Sequence, residues 1–362
     1  VSTLPEIEGI DRFFIFKLGL HCFHDLIKDL LAKLVKEDTT FVCRICRIFN
    51  NIDVAIIRKF ALLLAKSELH NILSEAKRRK AKQSQAGKVV VSEPSNAKDK
   101  LLLMIFEKPS TRTRLSFDLA MRQLGGETIV MNSQDMHLGK GEETIGDTAK
   151  VISGFSDIVM FRTFKHQTLL DLSELLTIPL INGLTDSSHP CQLLSDVMTF
   201  EEKKGSIKGS KVAWVGDGNN VTKSAIEAAV QFDFAINICV PQDYLPSKKV
   251  LDWAQSQNGK VKIFHDVKDG VKGVDCIMSD KWISMGDDSD VKKKKKDLKS
   301  FQVNDELLSI ANQDAIYLHV LPAAREEEVT SSVMDGPQSL VWLQAENRLH
   351  GQKAIIDWCL SS

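Results

Sequence analysis

The residues best suited to chemistry follow directly on a short apolar run. Leu101–Phe106 is uninterrupted apolar sequence, and Glu107-Lys108-Pro109-Ser110-Thr111-Arg112-Thr113-Arg114 comes next. Pro109 and Ser110 suit a helix start. The helix they open carries Leu115, Phe117, Leu119 and Met121. Free N–H groups at such a start attract anions, and the helix dipole adds to the pull. Ser110, Thr111 and Thr113 supply hydroxyl donors, and Arg112 supplies a planar fork matched to phosphate oxygens. A capped helix with a solvated basic turn would show the same local pattern, so this segment alone does not decide.

Two more segments add weight. The run Asp157–Arg162 ends in Arg162-Thr163. Pro179–Asn182 leads through Gly183-Leu184-Thr185-Asp186 to His189-Pro190-Cys191-Gln192, which opens another helix. Ligands of open α/β sheets sit beyond the carboxyl ends of the strands, and each of these polar groups falls at such an end. A lone His189 would read as structural. With Gln192 one helical turn on, at the same edge as Ser110–Thr113 and Arg162, the pair reads as ligand contacts.

The second half of the chain holds a different set of groups. Lys211–Val215 ends in Gly216-Asp217-Gly218-Asn219-Asn220-Val221. Val221 stands where a third glycine would complete GxGxxG, which argues against a dinucleotide site. Asp275–Ser279 ends in Asp280-Lys281-Trp282-Ile283-Ser284-Met285-Gly286, and Ala315–Leu321 contains His319-Val320-Leu321 before Pro322. Taken alone, Ser284-Met285-Gly286 is an ordinary turn after a strand.

These groups need a scaffold of parallel strands, and the patterning supplies one. The first strand series is Leu101–Phe106, Glu127–Met131, Asp157–Arg162 and Pro179–Asn182. The second is Lys211–Val215, Ala235–Val240, Lys260–Phe264, Asp275–Ser279 and Ala315–Leu321. Helical stretches alternate with them, which predicts an α/β fold of two doubly wound parallel-sheet domains. Asp196–Lys208 reads as a helix bridging the two sheets. Residues 12–80 read as helical, 81–100 as a polar loop, and the Lys292–Lys296 run as a solvated loop or helix end.

Bulk properties exclude several function classes. The chain has 362 residues, 43% hydrophobic and 26% charged, enough for about two domains with a sizeable core. Its 47 Lys plus Arg balance 48 Asp plus Glu, unlike a dedicated nucleic-acid binder. Seven cysteines make no disulfide scaffold and fit a reducing compartment. Cys43 and Cys46 form the single CxxC, with no second pair to complete a zinc site. No apolar run spans a bilayer. The first 50 residues include Glu6, Glu8, Asp11, Asp25 and Asp29, unlike an acid-poor transit peptide. The expected location is the cytoplasm.

Ser110-Thr111-Arg112-Thr113-Arg114 followed by His189-Pro190-Cys191-Gln192 resembles the carbamoyl-phosphate signature of the aspartate/ornithine transcarbamylase family, from about residue 65 to the C-terminus. The resemblance implies a carbamoyl-phosphate domain at 56–195, with a C-terminal helix, 345–362, packed back on it. It further implies an ornithine domain at 196–344 and leaves 1–55 as a helical extension of unknown role. Ser110, Thr111, Arg112 and Thr113 would bind the phosphate, with Arg162 and Arg348 assisting. His189 and Gln192 would hold the carbamoyl end, with backbone groups of Val320 and Leu321 beside them. His137 would be offered by a neighbouring subunit of a homotrimer. Asp280 with Ser284-Met285-Gly286 resembles the ornithine branch, which places Asn220, Asp280, Ser284 and Met285 at the amine acceptor. The implied reaction moves the carbamoyl group onto L-ornithine, with Arg112, His189 and Asp280 catalytic and no cofactor or metal. Putrescine as acceptor is one alternative. A weakly active carbamoyl-phosphate-binding subunit is the other, because the ornithine branch typically has Cys where this chain has Val320, and a valine side chain handles no proton.

Overall fold

The computed structural model describes residues 66–86, 95–133, 136, 143–283 and 290–361. The elements alternate along the chain. They are α1 (Lys66–Ala86), β1 (Leu101–Phe106), α2 (Thr111–Gln123), β2 (Glu127–Asn132), α3 (Ile145–Phe155), β3 (Ile158–Arg162), α4 (His166–Leu175), β4 (Leu180–Leu184) and α5 (Pro190–Lys204). Then come β5 (Lys211–Val215), α6 (Asn220–Gln231), β6 (Ala235–Cys239), α7 (Lys248–Ser256), β7 (Val261–Phe264), α8 (Val267–Val271), β8 (Cys276–Ser279), α9 (Val291–Leu298), α10 (Asp305–Ile310), β9 (Ile316–His319), α11 (Ser331–Met334) and α12 (Val341–Leu360).

The strands form two parallel sheets, one in the order β2-β1-β3-β4 and the other β7-β6-β5-β8-β9. Both match the two expected series strand for strand. Helices cover both faces, so the central strands read as near-continuous apolar runs rather than alternating; β3 and β8 are buried throughout, with a polar residue, Arg162 or Ser279, only at the carboxyl end. Separate apolar clusters lie on the two faces of each sheet. One centres on Met104, Phe117 and Met160, its opposite on Ile105, Val159 and Phe161, and the second sheet's pair on Trp214 and on Tyr317.

Helix α5 leaves the first sheet and reaches the second. Lys203 and Lys204 in its last turn suit the dipole. It stops at Gly205, whose φ of +80° is a conformation glycine adopts without steric cost. Helix α12 packs against α1, α2 and α5, so the C-terminus returns to the first sheet.

Three expectations need correction. The segment from 81 is not loop at once: α1 continues to Ala86, tied to α12 by Arg79, paired to Asp357 at 2.8 Å, and by Gln83, which accepts from Lys353 Nζ at 2.9 Å. β9 ends at His319 rather than 321, since Leu321 takes a φ of +61° and leaves the ladder. The lysine run is not wholly solvated. It builds α9, and Lys294 is buried against Asp217 at 2.7 Å. Residues 12–65, including Cys43 and Cys46, lie outside the described residues, as do His137, Ser284 and Met285. Among the described residues, no helix is long and apolar enough to cross a membrane.

Candidate active site

The carboxyl ends of both sheets face one cavity of about 640 Å³. From the first sheet come Lys108–Arg112 after β1, Arg162 at the end of β3, and Leu184, Asp186 and His189 after β4. From the second come Asp217 and Asn219–Val221 after β5, Asp280, Lys281 and Ile283 after β8, and Val320–Pro322 after β9. Arg348 reaches in from α12. Nine residues singled out in the sequence thus line one cavity: Ser110, Thr111, Arg112, Arg162, His189, Asn220, Asp280, Val320 and Arg348. Leu321 joins them through the bend after β9.

Ser110 caps α2. Its extended backbone (φ −159°) lets Oγ accept from the Thr113 N–H at 3.3 Å. The same hydroxyl donates to Thr113 Oγ1 at 3.0 Å. Thr113 and Gln192 are expected ligand contacts that do not line the cavity. Both are buried behind it and hold Arg348: Nη1 donates to Gln192 Oε1 at 2.8 Å and Nη2 to Thr113 Oγ1 at 3.1 Å. Their polar atoms are occupied by the guanidinium, which is why they serve the cavity through it.

The first-sheet wall is strongly cationic. Arg112, Arg162 and Arg348 line it, and among the described residues none pairs with a carboxylate; Arg162 donates only a long 3.4 Å bond to the Gly183 carbonyl. Burial, then the charges of Arg348 and Arg112, push Arg162 down to about 10. Burial likewise lowers Arg112 and Arg348. His189 is held well below its ordinary value, first by burial and then by the three guanidinium groups. It is therefore neutral at physiological pH, and its Nδ1 has no hydrogen-bond partner among the described residues. Lys108 was not singled out in the sequence, although it stands inside the quoted motif. Its ammonium lies 4.3 Å from the centre of the Phe164 ring, and burial lowers its pKa. Such an array, with no carboxylate partner among the described residues, is built for an anion of high charge.

The second-sheet wall differs in sign. Burial raises the pKa of Asp280, and Asn219 Nδ2 donates to its Oδ2 at 3.1 Å. Asn219 also caps α6, accepting from the Val221 and Thr222 N–H groups. Asn220 Nδ2 donates to the Thr185 carbonyl at 2.6 Å, and the His189 N–H donates to Ser224 Oγ at 2.8 Å. These contacts staple α6 to the loop that carries His189. Gly218 must be glycine, because a Cβ there would meet Tyr244 O at 2.4 Å. Val320 N–H donates to Ser279 O at 3.3 Å and Leu321 N–H to His319 Nδ1 at 2.8 Å. With both N–H groups occupied, Val320 and Leu321 offer a ligand carbonyl oxygens, which accept. Asp217 also lines the cavity and was missed; its signal was its place in the glycine turn.

Comparison with known proteins agrees with this geometry. Residues 61–202 match the family described as aspartate/ornithine carbamoyltransferase, carbamoyl-P binding domain, and residues 208–359 match the Asp/Orn binding domain of the same family. An ornithine carbamoyltransferase of Rhodopseudomonas palustris is 50% identical over 299 residues, covering 83% of this chain and 94% of that protein. One from Brucella ovis is 49% identical over 294 residues, covering 81% and 92%. The solved structure of the Pyrococcus furiosus ornithine carbamoyltransferase superposes with a TM-score of 0.75 at 44% identity, covering 81% of this chain and 93% of that one. Two family domains spanning nearly all the described residues, meeting at a cavity cationic on one side and acidic on the other, establish that the chain belongs to the aspartate/ornithine carbamoyltransferase family.

Proposed function

We propose that this protein transfers the carbamoyl group of carbamoyl phosphate to the side-chain amine of L-ornithine, giving L-citrulline and phosphate. The observation that carries the reading is the set of three guanidinium groups, those of Arg162 and Arg348 buried and that of Arg112 half-buried, with no carboxylate partner among the described residues and facing Asp280 across one cavity. The relatives named ornithine carbamoyltransferase favour ornithine over putrescine as acceptor.

In this reading Arg112, Arg162 and Arg348 hold the phosphate, with Ser110, Thr111 and the start of α2. Thr113 and Gln192 keep Arg348 in place. Neutral His189 and Arg112 polarise the carbamoyl carbonyl and stabilise the oxyanion of the tetrahedral intermediate. The Val320 and Leu321 carbonyls accept from the carbamoyl NH2. Ornithine's amine, with a reference pKa of about 10.4 like that of lysine, attacks only as the free base. Asp280 and Asn220 orient it. The C–N bond forms, the C–O bond to phosphate breaks, and the departing phosphate takes the proton that the nitrogen loses. Alignment of two substrates in one cleft supplies roughly 7–11 kcal/mol of the barrier reduction. Val320 contributes no proton chemistry, which leaves that task to Asp280 and the leaving phosphate.

Residues 56–195 with the C-terminal helix would then bind carbamoyl phosphate, and 196–344 the amine, with Ser284 and Met285 beside it. We also assign a homotrimer in which His137 completes a neighbour's site. In support, Leu115, Leu119 and Ile129 expose apolar side chains on α2 and on the strand β2 it packs against, and β2 ends at Asn132, five positions before His137 in the sequence. The unpaired thiols of Cys191, Cys239 and Cys276 suit a reducing compartment such as the cytoplasm, and a citrulline-forming step suits arginine biosynthesis. The test is phosphate release together with formation of the carbamoylated amine, with ornithine, putrescine, acetylornithine and aspartate in parallel across pH. Ornithine should be preferred by at least tenfold, with rate rising with pH as the amine deprotonates. Binding of carbamoyl phosphate without product from any amine would overturn the assignment.

A further inference from the structure

Behind the cavity wall, a chain of buried hydrogen bonds crosses from one sheet to the other. On the phosphate side, Arg348 Nη1 donates to Gln192 Oε1, and Gln192 Nε2 donates to Asp196 Oδ1 at 2.8 Å. On the acceptor side, the Leu321 N–H donates to His319 Nδ1, and the His319 N–H donates to Gln344 Oε1 at 3.0 Å. Gln344 Nε2 then donates to the same Asp196 Oδ1 at 2.6 Å. Asp196 lies on the bridging helix α5 and is 2% exposed. No residue in this chain from Arg348 to His319 is more than 2% exposed.

The chemistry of the amide makes this arrangement directional. The two ends of a glutamine amide have nearly the same shape, and only the surrounding donors and acceptors fix which way it points. Asp196 Oδ1 accepts in the ionised carboxylate and equally in the acid that carries its proton on Oδ2. Facing Asp196 Oδ1, both glutamines must present NH2, which leaves each Oε1 turned outward as an acceptor. One meets the Arg348 guanidinium, the other the His319 N–H, and both of those only donate. A flipped amide would bury donor against donor on one side and acceptor against acceptor on the other.

We propose that Asp196 is a positioning residue for carbamoyl transfer: one acceptor oxygen sets both glutamines and so holds Arg348 at the phosphate end in register with the His319–Leu321 backbone at the amine end. Asp196 touches no substrate. The inference rests on the carbamoyl-transfer reading of the cavity and adds to it a link between its two halves through a single atom.

The test uses the full chain with four variants: Gln192→Met, Gln344→Met, Asp196→Ala and Asp196→Asn. Inorganic phosphate affinity is measured by calorimetry, kcat by citrulline formation, and folding by Tm. Gln192→Met should weaken phosphate binding at least tenfold. Gln344→Met should lower kcat at least tenfold with phosphate affinity within threefold of the wild type. Asp196→Ala should show both defects, and Asp196→Asn, which keeps one acceptor oxygen, should recover at least tenfold of the alanine loss. A lowered Tm in Asp196→Ala with phosphate affinity and kcat within threefold would reduce Asp196 to a structural role and overturn the proposal. Equal impairment by Asn and Ala would also overturn it. If the alanine variant does not fold, identical defects from the two glutamine variants would do the same. Wild-type protein is assayed in parallel, because failure to make citrulline there sinks the carbamoyl-transfer reading, whereas defects confined to the variants bear on Asp196.

Discussion

Replacing Arg162 with methionine should make the empty protein more stable and its anion site worse. Arg162 is 7% exposed, and burial together with Arg348 and Arg112 brings its pKa from 12.5 to about 10. That fall corresponds to about 3 kcal/mol of lost hydration and repulsion in the charged form. Methionine keeps much of the length and volume without the charge. The one hydrogen bond forfeited, 3.4 Å to the Gly183 carbonyl, is long and weak. A net gain of about 1–3 kcal/mol follows, a rise in Tm of roughly 1–5 °C for a chain of this size. Against it stands the loss of a charge-assisted contact to the phosphate, about 1.5–3 kcal/mol, or roughly 10- to 150-fold in affinity. Scanning calorimetry with and without inorganic phosphate separates the two effects. Phosphate should raise the wild-type Tm and raise the variant's much less. A variant that melts below the wild type while binding phosphate within threefold of it would refute the reasoning.

Four further outcomes follow from the same geometry. Burial raises Asp196 to about 7, against about 3.9 in an unfolded chain, so its stabilising contribution is full below pH 4 and is lost as pH rises through 7. Urea stability of the wild type should therefore fall by about 2–3 kcal/mol more than that of Asp196→Asn between pH 5 and 8; parallel curves would contradict this. Lys294→Met removes the 2.7 Å ion pair with Asp217 and should cost about 3 kcal/mol, most of it regained by adding Asp217→Asn; a urea midpoint unchanged by the single substitution would count against the pairing. Asp280→Asn should lower kcat by roughly 100-fold while sparing phosphate binding, read by steady-state kinetics and calorimetry. Val320→Cys should leave kcat within threefold, because Asp280 and the leaving phosphate carry the proton; a larger rise in steady-state kcat would contradict that assignment.

Both sheets were legible because their central strands are short apolar runs closed by turn residues, and Leu101–Phe106 and Asp275–Ser279 have no competing helical reading. The anion wall was legible because Ser110–Arg112, Arg162 and His189 each stand at a strand's carboxyl end, where topology alone brings them together. What the sequence concealed depends on contacts distant along the chain. Lys294 is one lysine among five and becomes buried only because α9 packs near the Gly216–Asn219 turn. Gln344 and Asp196 are 148 positions apart, and no local pattern announces their bond. Thr113 and Gln192 belong to motifs that point at a ligand, yet the side-chain directions that aim them at Arg348 are set by helix packing.

The most direct measurement is a single-turnover reaction with carbamoyl phosphate labelled with ¹³C at the carbonyl, enzyme in excess, with and without ornithine. Carbamoyl transfer predicts that the label appears in the ureido group of citrulline, with one phosphate released per citrulline formed and little release without ornithine. Phosphate released at the same rate in both cases, with the label in bicarbonate or cyanate, would contradict it.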